Sequence, residues 1–346
     1  MEEKNHTVHG IAYGKLYLAG EYAILEDNAK AIITSVPKKI TAYVKADTVT
    51  TISDNVYNTK VALDEENKNF TTIQSLITFI QNYCGVNKAF SLKIDNELIS
   101  NNKKYGLGSS GAVLVAITKA LLRFYKQEFN SLKVFKLVVL FSLKNGMSGS
   151  MGDIAASYEE GVTYYKKFND KIIKEYIQNY SDKEIIDKLD WPNLQIEKLN
   201  VNVPIEIIAK WTGEVIDTKI HVKKWAQNKK EMNMPSSNLR EKVKRILEKR
   251  KYKKFIDRSN QLVIRLKNFL QGTNPELVAL VIKDIRKNLL YLEEISNIPM
   301  ETIAMKKYIM TFSAGKQSGS GCGDMVLGFK IDTCDKFTIT LDLTKL

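Results

Sequence analysis

The sequence predicts an α+β chain of two domains, each a mixed or antiparallel sheet covered by helices. Strand-like and helix-like segments alternate without a regular βαβ rhythm, which argues against a doubly wound parallel sheet. The 346 residues, 44% hydrophobic and 26% charged, suffice for two cores of ordinary size. A polar, charged stretch over residues 169–200 separates the two halves, so the domains are drawn over 1–200 and 201–346.

Residues 11–25 and 31–46 are rich in β-branched and aromatic side chains and read as strands. A helix is expected over 72–83, a strand over 90–95, and a buried helix over 112–125, which is apolar almost all round. Helices over 131–144 and 153–158 precede a strand over 162–168. In the second half, 204–211 reads as a strand, and helical patterns cover 238–271, 274–296 and 300–311. A glycine-rich loop then leads into two closing strands, with no internal repeat or low-complexity tract anywhere.

Lys and Arg number 52 against 39 Asp and Glu, a formal charge of +13. That excess suits nucleic acid, an anionic membrane or a polyanionic small substrate, and does not choose among them. The densest basic run, 242–254, holds eight Lys or Arg residues, yet Val243, Ile246 and Leu247 recur in it at helical spacing. It reads as the solvated face of an amphipathic helix, since Tyr252 and Phe255 are too few for a base-stacking platform; no nucleic-acid partner is expected. The polar first ten residues, and an apolar maximum at 134–143 broken by Lys136 and Ser142, predict neither a signal peptide nor a membrane span. Cys84, Cys322 and Cys334 lack C-x-x-C spacing, which disfavours disulfides and thiolate zinc and points to a reducing, cytoplasmic setting. His6 and His9 sit at a polar terminus with no cysteine nearby and read as solvated rather than metal-binding.

Chemistry concentrates where Lys103, Lys104 and Tyr105 lead into Gly106, Leu107, Gly108, Ser109, Ser110 and Gly111, directly before the buried helix. Small residues let backbone N–H groups approach an anion, and the helix N-terminus adds about half a positive charge. Hydroxyls of Ser109 and Ser110 supply further donors or a Mg²⁺ ligand. Gly106, Gly108 and Gly111 formally satisfy G-x-G-x-x-G, but no buried strand feeds the turn as a dinucleotide fold requires. No G-x-x-x-x-G-K-[ST] run is present, which removes the P-loop. Taken alone, the loop also fits a helix-capping turn.

Two further segments make the pattern specific. Gly14-Lys15-Leu16-Tyr17-Leu18-Ala19-Gly20-Glu21-Tyr22 resembles the first motif of the GHMP kinase superfamily, and the glycine and serine loop resembles its second. Lys316-Gln317-Ser318-Gly319-Ser320-Gly321-Cys322-Gly323-Asp324 is similar to the third, and the three occur in the family's order over nearly the whole chain. Tyr22 after the glutamate, the segment 149–153 and Trp211-Thr212-Gly213-Glu214 resemble the phosphomevalonate kinase family of bacteria. The resemblance implies the two-domain GHMP kinase fold, an active site in the cleft between the domains, and transfer of the γ-phosphoryl of ATP, with Mg²⁺, onto phosphomevalonate.

It also implies roles. Lys15 and Asp153 are the catalytic pair: Lys15 offsets repulsion between two anionic reactants, while Asp153 orients the acceptor or accepts a proton. A plain helix N-cap is the bland reading of Asp153. Lys104, Tyr105, Gly106, Leu107, Gly108, Ser109, Ser110 and Gly111 fall to the nucleotide, with Ser109 or Ser110 on Mg²⁺. Tyr22, Lys103, Ser150, Gln317, Ser318 and Gly319 fall to the acceptor. Ser320 and Cys322 stand where the family usually has Ala and Gly, and Cys322 adds a side chain where backbone should pass close to substrate. A buried, inert thiol is its simpler reading. Mevalonate kinase, a GHMP-fold sensor without turnover and, most weakly, a nicotinamide-dependent oxidoreductase are the alternatives.

Overall fold

The computed structural model describes residues 6–100, 103–214, 218–235, 238–331 and 334–346; the side chains of Ser100, Lys103, Thr218 and Lys219 lie outside that description. The elements in order are β1 (Val8–Ala19), β2 (Lys30–Ala46), β3 (Thr51–Asp54), β4 (Lys60–Ala62), α1 (Thr71–Cys84), β5 (Phe90–Asn96), β6 (Ile99–Ser100), β7 (Lys103–Lys104), α2 (Ser109–Phe124), α3 (Ser131–Lys144) and α4 (Gly152–Ser157). There follow β8 (Val162–Lys166), α5 (Asp170–Asn179), α6 (Asp182–Asp187), β9 (Gln195–Leu199), β10 (Glu206–Trp211), α7 (Thr218–Asn233), α8 (Leu239–Gln271), α9 (Pro275–Ser296), α10 (Ile303–Ile309), β11 (Ala314–Ser318), β12 (Met325–Lys330) and β13 (Thr338–Asp342). The mixture of two principal sheets with covering helices is the α+β architecture expected.

Two compact units divide the chain: Met1–Lys15, Ser35–Gly161 and Phe168–Ile196 form one, and Leu16–Thr34, Val162–Lys167 and Glu197–Leu346 the other. The first unit carries strands in the order β4-β3-β5-β2, antiparallel except for the parallel β3–β5 pair. Helix α2 packs on α1, α3 and α4, and every residue from Leu114 to Leu122 is buried, as its all-round apolar sequence requires. Lys119 is the exception in kind: its ammonium donates to Ile11 O at 2.6 Å and Tyr158 O at 2.7 Å, and burial lowers its pKa to about 8. Strand β2 pairs with β8 over Lys30–Thr34 and with β5 over Ile40–Ala46; Pro37, which has no N–H to offer, falls between the two ladders.

In the second unit β11-β12-β10-β13 form a mixed sheet, with β10–β13 parallel and the other pairs antiparallel. Ile207, Ala209 and Trp211 alternate inward along β10, while α8 and α9 pack together and α9 lies against β11. The basic run lies in α8 with Val243, Ile246 and Leu247 about half exposed.

Several expectations shift. Strand β1 ends at Ala19 rather than running to Leu25, because Gly20 and Tyr22 take positive φ before a single 3₁₀ turn, Ala23–Leu25. The 169–200 stretch folds as α5, α6 and β9, β11 occupies the start of the expected glycine-rich loop, and β3, β4 and α7 were not anticipated. His9 is exposed, as expected, but sits within β1. Among the described residues no helix is long and apolar enough to cross a membrane.

Candidate active site

The first glycine-rich turn belongs wholly to the first unit. Gly106 and Gly108 both take left-handed φ, +73° and +78°, and Gly108 stands at the N-cap of α2 with no side chain capping the helix. The first-turn N–H groups of a helix have no intrahelical partner, and here no side chain takes their place at the cap. Lys15 N donates to Leu107 O at 2.8 Å, which ties the buried Leu107, and the loop with it, to β1.

Two glycines in this turn make room for charge. A Cβ on Gly108 would meet Lys15 Cγ and Cε at 2.9 Å and Asp153 Cβ at 3.4 Å, and one on Gly111 would meet Asp153 Oδ2 at 2.6 Å. Lys15 and Asp153 thus converge on the start of α2, although 138 positions separate them in sequence by subtraction of their numbers. Lys15, only 9% exposed, also reaches Gly106 O at 3.4 Å. Asp153 sits in the first turn of α4 after Met151, which is left-handed. Asp153 is partly exposed as a residue, yet the protein packed around its carboxyl raises the pKa, with Lys15 and the Ile154 N–H pulling the other way. Ser150 lies beside it and accepts from Gly152 N at 3.3 Å. Tyr105 is buried, Ser109 partly exposed, and Lys104 and Ser110 exposed; the Lys103 side chain lies outside the described residues.

The second glycine-rich turn belongs to the second unit. Gly319, Gly321, Cys322 and Asp324 all have positive φ, and a Cβ on Gly321 would strike Met300 Cα and O at 2.9 Å. Cys322 N donates to that same Met300 O at 2.9 Å. Lys316, fully buried, forms an ion pair with Glu21 and donates to Tyr17 O at 3.2 Å and Gln317 O at 2.6 Å. Burial lowers the Lys316 pKa, and Glu21 opposes that shift. Ser318 Oγ accepts from Tyr17 N at 2.9 Å and donates to Tyr17 O at 3.2 Å, so this hydroxyl ties β11 to β1 rather than facing a ligand. Gln317 Oε1 and Ser320 Oγ are buried with no hydrogen-bond partner among the described residues. Burial pushes the Cys322 thiol up, with Glu293, Glu214 and Glu301 adding to it, which keeps the thiol protonated and poorly nucleophilic near neutrality.

Tyr22, expected to touch the acceptor, is 6% exposed, and its hydroxyl donates to Ser320 O at 2.6 Å. His221 Nδ1 lies 2.9 Å from the same carbonyl. Glu21, Lys316 and His221 escaped the sequence reading: nothing in composition couples Glu21 to Lys316 across nearly 300 positions, and α7, which carries His221, has no clear apolar period.

Residues 71–161 match the family model described as GHMP kinases N terminal domain, and the two helix-covered sheets resemble the two-domain fold of solved kinases of that class. Within the class the chain resembles bacterial phosphomevalonate kinases. The curated phosphomevalonate kinase of Streptomyces sp. (strain CL190) is 26% identical over 243 residues, covering 63% of this chain and 65% of that enzyme, a little under two thirds of its length. The solved Streptococcus pneumoniae phosphomevalonate kinase in complex with phosphomevalonate and AMPPNP is 26% identical with a TM-score of 0.80, covering 94% of this chain and 93% of that one. The Lin0012 protein of Listeria innocua is 28% identical with a TM-score of 0.83, covering 95% and 91%.

Proposed function

We propose that this chain transfers the γ-phosphoryl group of ATP to the phosphate of phosphomevalonate, giving diphosphomevalonate for isoprenoid synthesis. The observation that carries the reading is the convergence of Lys15 and Asp153 on Gly108 and Gly111, at the open N-terminus of α2. Phosphoryl transfer asks mainly for positioning and for cations that hold developing negative charge. The α2 N-terminus and the Gly106–Gly111 amides take the nucleotide phosphates, helped by Lys104. Lys15 neutralises charge between donor and acceptor.

Asp153 orients the acceptor oxygen; a phosphate acceptor is already largely ionised near neutrality, so proton removal is secondary. Ser150 and Lys103 are assigned to the acceptor, as are Gln317 and Gly319. The resemblance gives Ser318 and Tyr22 to the acceptor too, but their hydroxyls hold backbone, and we assign them to that task.

The hydroxyls of Ser109 and Ser110 are hard oxygen donors at a helix start that no side chain caps, which fits a Mg²⁺ ion carrying most of its remaining ligands as water and phosphate. Such an ion supplies charge neutralisation to the phosphates. The three free cysteines suit a reducing, cytoplasmic setting.

A coupled ADP-release assay tests the proposal. Turnover with phosphomevalonate should exceed turnover with mevalonate, and Lys15→Met should lower kcat by about 10²–10³-fold, the scale of losing one transition-state charge contact. A folded Lys15→Met protein with unchanged kcat sinks the assignment, and preference for mevalonate turns it to the other kinase.

A further inference from the structure

Tyr22 is the central residue of a γ-turn: its φ and ψ are +61° and −48°, and Ala23 N donates back to Glu21 O at 2.7 Å. This hand of γ-turn is rare and strained, and a bulky side chain at positive φ makes it rarer. Strain of this kind, about 1–3 kcal/mol, persists only where the surroundings over-determine it. Here they do. The Tyr22 phenol is buried and donates to Ser320 O, and burial raises its pKa, so it stays a donor across the physiological range.

The His221 ring completes the arrangement. Ser320 O can only accept, so Nδ1, at 2.9 Å, carries the proton; Tyr22 Oη lies 3.3 Å from the same nitrogen. One carbonyl thus receives two donors, one for each lone pair. Helix α7 presents His221, Trp225 and Lys229 at i, i+4 and i+8, on one face. The Trp225 ring lies 5.9 Å from that of Tyr22, and its Nε1 donates to Glu26 Oε1 at 3.2 Å. Lys229 Nζ reaches Glu26 Oε2 at 2.5 Å. That helix face therefore grips both the strained turn and the segment just after it.

We propose that Tyr22 and His221 are positioning residues forming a two-donor clamp on the Ser320 carbonyl, which holds the left-handed Gly319–Cys322 turn in its acceptor-binding shape. The clamp explains how Cys322, an L-residue with a side chain, is held at φ +54°. Its consequence for turnover rests on the kinase reading; its consequence for the loop does not.

The test uses the full chain carrying Cys84→Ser and Cys334→Ser, which leaves Cys322 as the sole thiol of the three in the sequence. Its rate of reaction with an aromatic disulfide reports the shape of the turn without turnover. Tyr22→Phe and His221→Ala should each speed labelling by about tenfold, the scale of one lost buried hydrogen bond, while His221→Asn, whose amide N–H can stand in for Nδ1–H, should restore the slow rate. In the same proteins with Cys84 and Cys334 retained, KM for the acceptor should rise by about tenfold while KM for ATP stays within about twofold. Labelling rates unchanged in both variants overturn the clamp, whatever the turnover. Equal rates for His221→Ala and His221→Asn overturn the hydrogen-bond part of it in favour of ring packing. Slow labelling of the unmutated loop together with no turnover on phosphomevalonate overturns the kinase reading and leaves the clamp standing.

Discussion

At residues 106–111 the chain holds a glycine turn with backbone and gathers charge around it: no side chain caps α2, and Lys15 and Asp153 crowd the glycines that face them. At residues 316–324 the polar groups are largely taken up by the protein itself. Lys316 answers Glu21, Ser318 answers Tyr17, and the Ser320 carbonyl answers Tyr22 and His221. On the proposed function the first turn receives an anion from outside, at a helix start that no side chain caps. The second keeps one shape through bonds made within its own unit, although Gln317 Oε1 and Ser320 Oγ lack a hydrogen-bond partner among the described residues. A substitution in the first turn should therefore move activity more than stability, and one in the second should move stability first.

Asp153→Asn tests the first half of that contrast and should give the largest effect, a fall in kcat of about 100-fold or more if the carboxylate positions the acceptor. The stability consequence has the opposite sign. Burial raises the Asp153 pKa above its value in the unfolded chain, so the fold prefers the protonated form. That preference contributes stability which is fully present below the unfolded carboxylate range and is lost as pH rises through the folded pKa. Above the unfolded carboxylate range the wild type loses that contribution, and the amide, which has no proton to exchange, does not. Thermal unfolding across pH 7 to about pH 3.5 should show Asp153→Asn the more stable protein at neutral pH, with the gap closing toward acid. A less stable variant at pH 7 would mean that Lys15 more than compensates the burial, and the first turn would then be closed like the second.

Lys316→Met tests the other half. It leaves Glu21 as a buried charge without its ammonium, a change that typically destabilises by about 3–5 kcal/mol. Urea unfolding should show a loss of that size. Pairing it with Glu21→Leu, which removes the stranded charge, should recover most of the loss. If Lys316→Met unfolds like the wild type, the pair contributes nothing and the second turn owes its shape to the clamp alone.

The contrast also explains what was legible in the sequence. Gly106, Gly108, Gly111, Lys15 and Asp153 could be singled out because a glycine turn before an apolar helix has a local physical signature, and because they fall within motifs of a known class. The long helices were legible for the same local reason: α3, over Ser131–Lys144, occupies the span its apolar period marks. The supports of the second turn leave no such trace. Helix α7 buries Trp225 and Met232 in a sequence whose other apolar residues, Ile220, Val222 and Ala226, do not extend that stripe into a clear period. The strained turn at Tyr22 hides inside what reads as the continuation of β1, since tyrosine, alanine and isoleucine all favour strands or pass unnoticed there. Nor does chain order reveal that 16–34 and 162–167 group with the C-terminal unit, because that follows from β2 and β8 pairing across more than a hundred residues.

Cys322→Gly sharpens the comparison at its finest grain. Cys322 holds φ at +54°, which for an L-residue costs about 1–2 kcal/mol over a right-handed conformation. Glycine removes that strain but loses about 0.5–1 kcal/mol through the greater freedom of its unfolded chain. The thiol is only partly buried, so little packing is forfeited. The balance is a small gain, under about 1 kcal/mol, which urea unfolding of wild type and variant side by side resolves from the shift in midpoint at constant slope. A loss of more than about 1 kcal/mol would show that the Cys322 side chain packs against Met300 and its neighbours strongly enough to outweigh the strain, and that the second turn is held from its far end as well as at the Ser320 carbonyl.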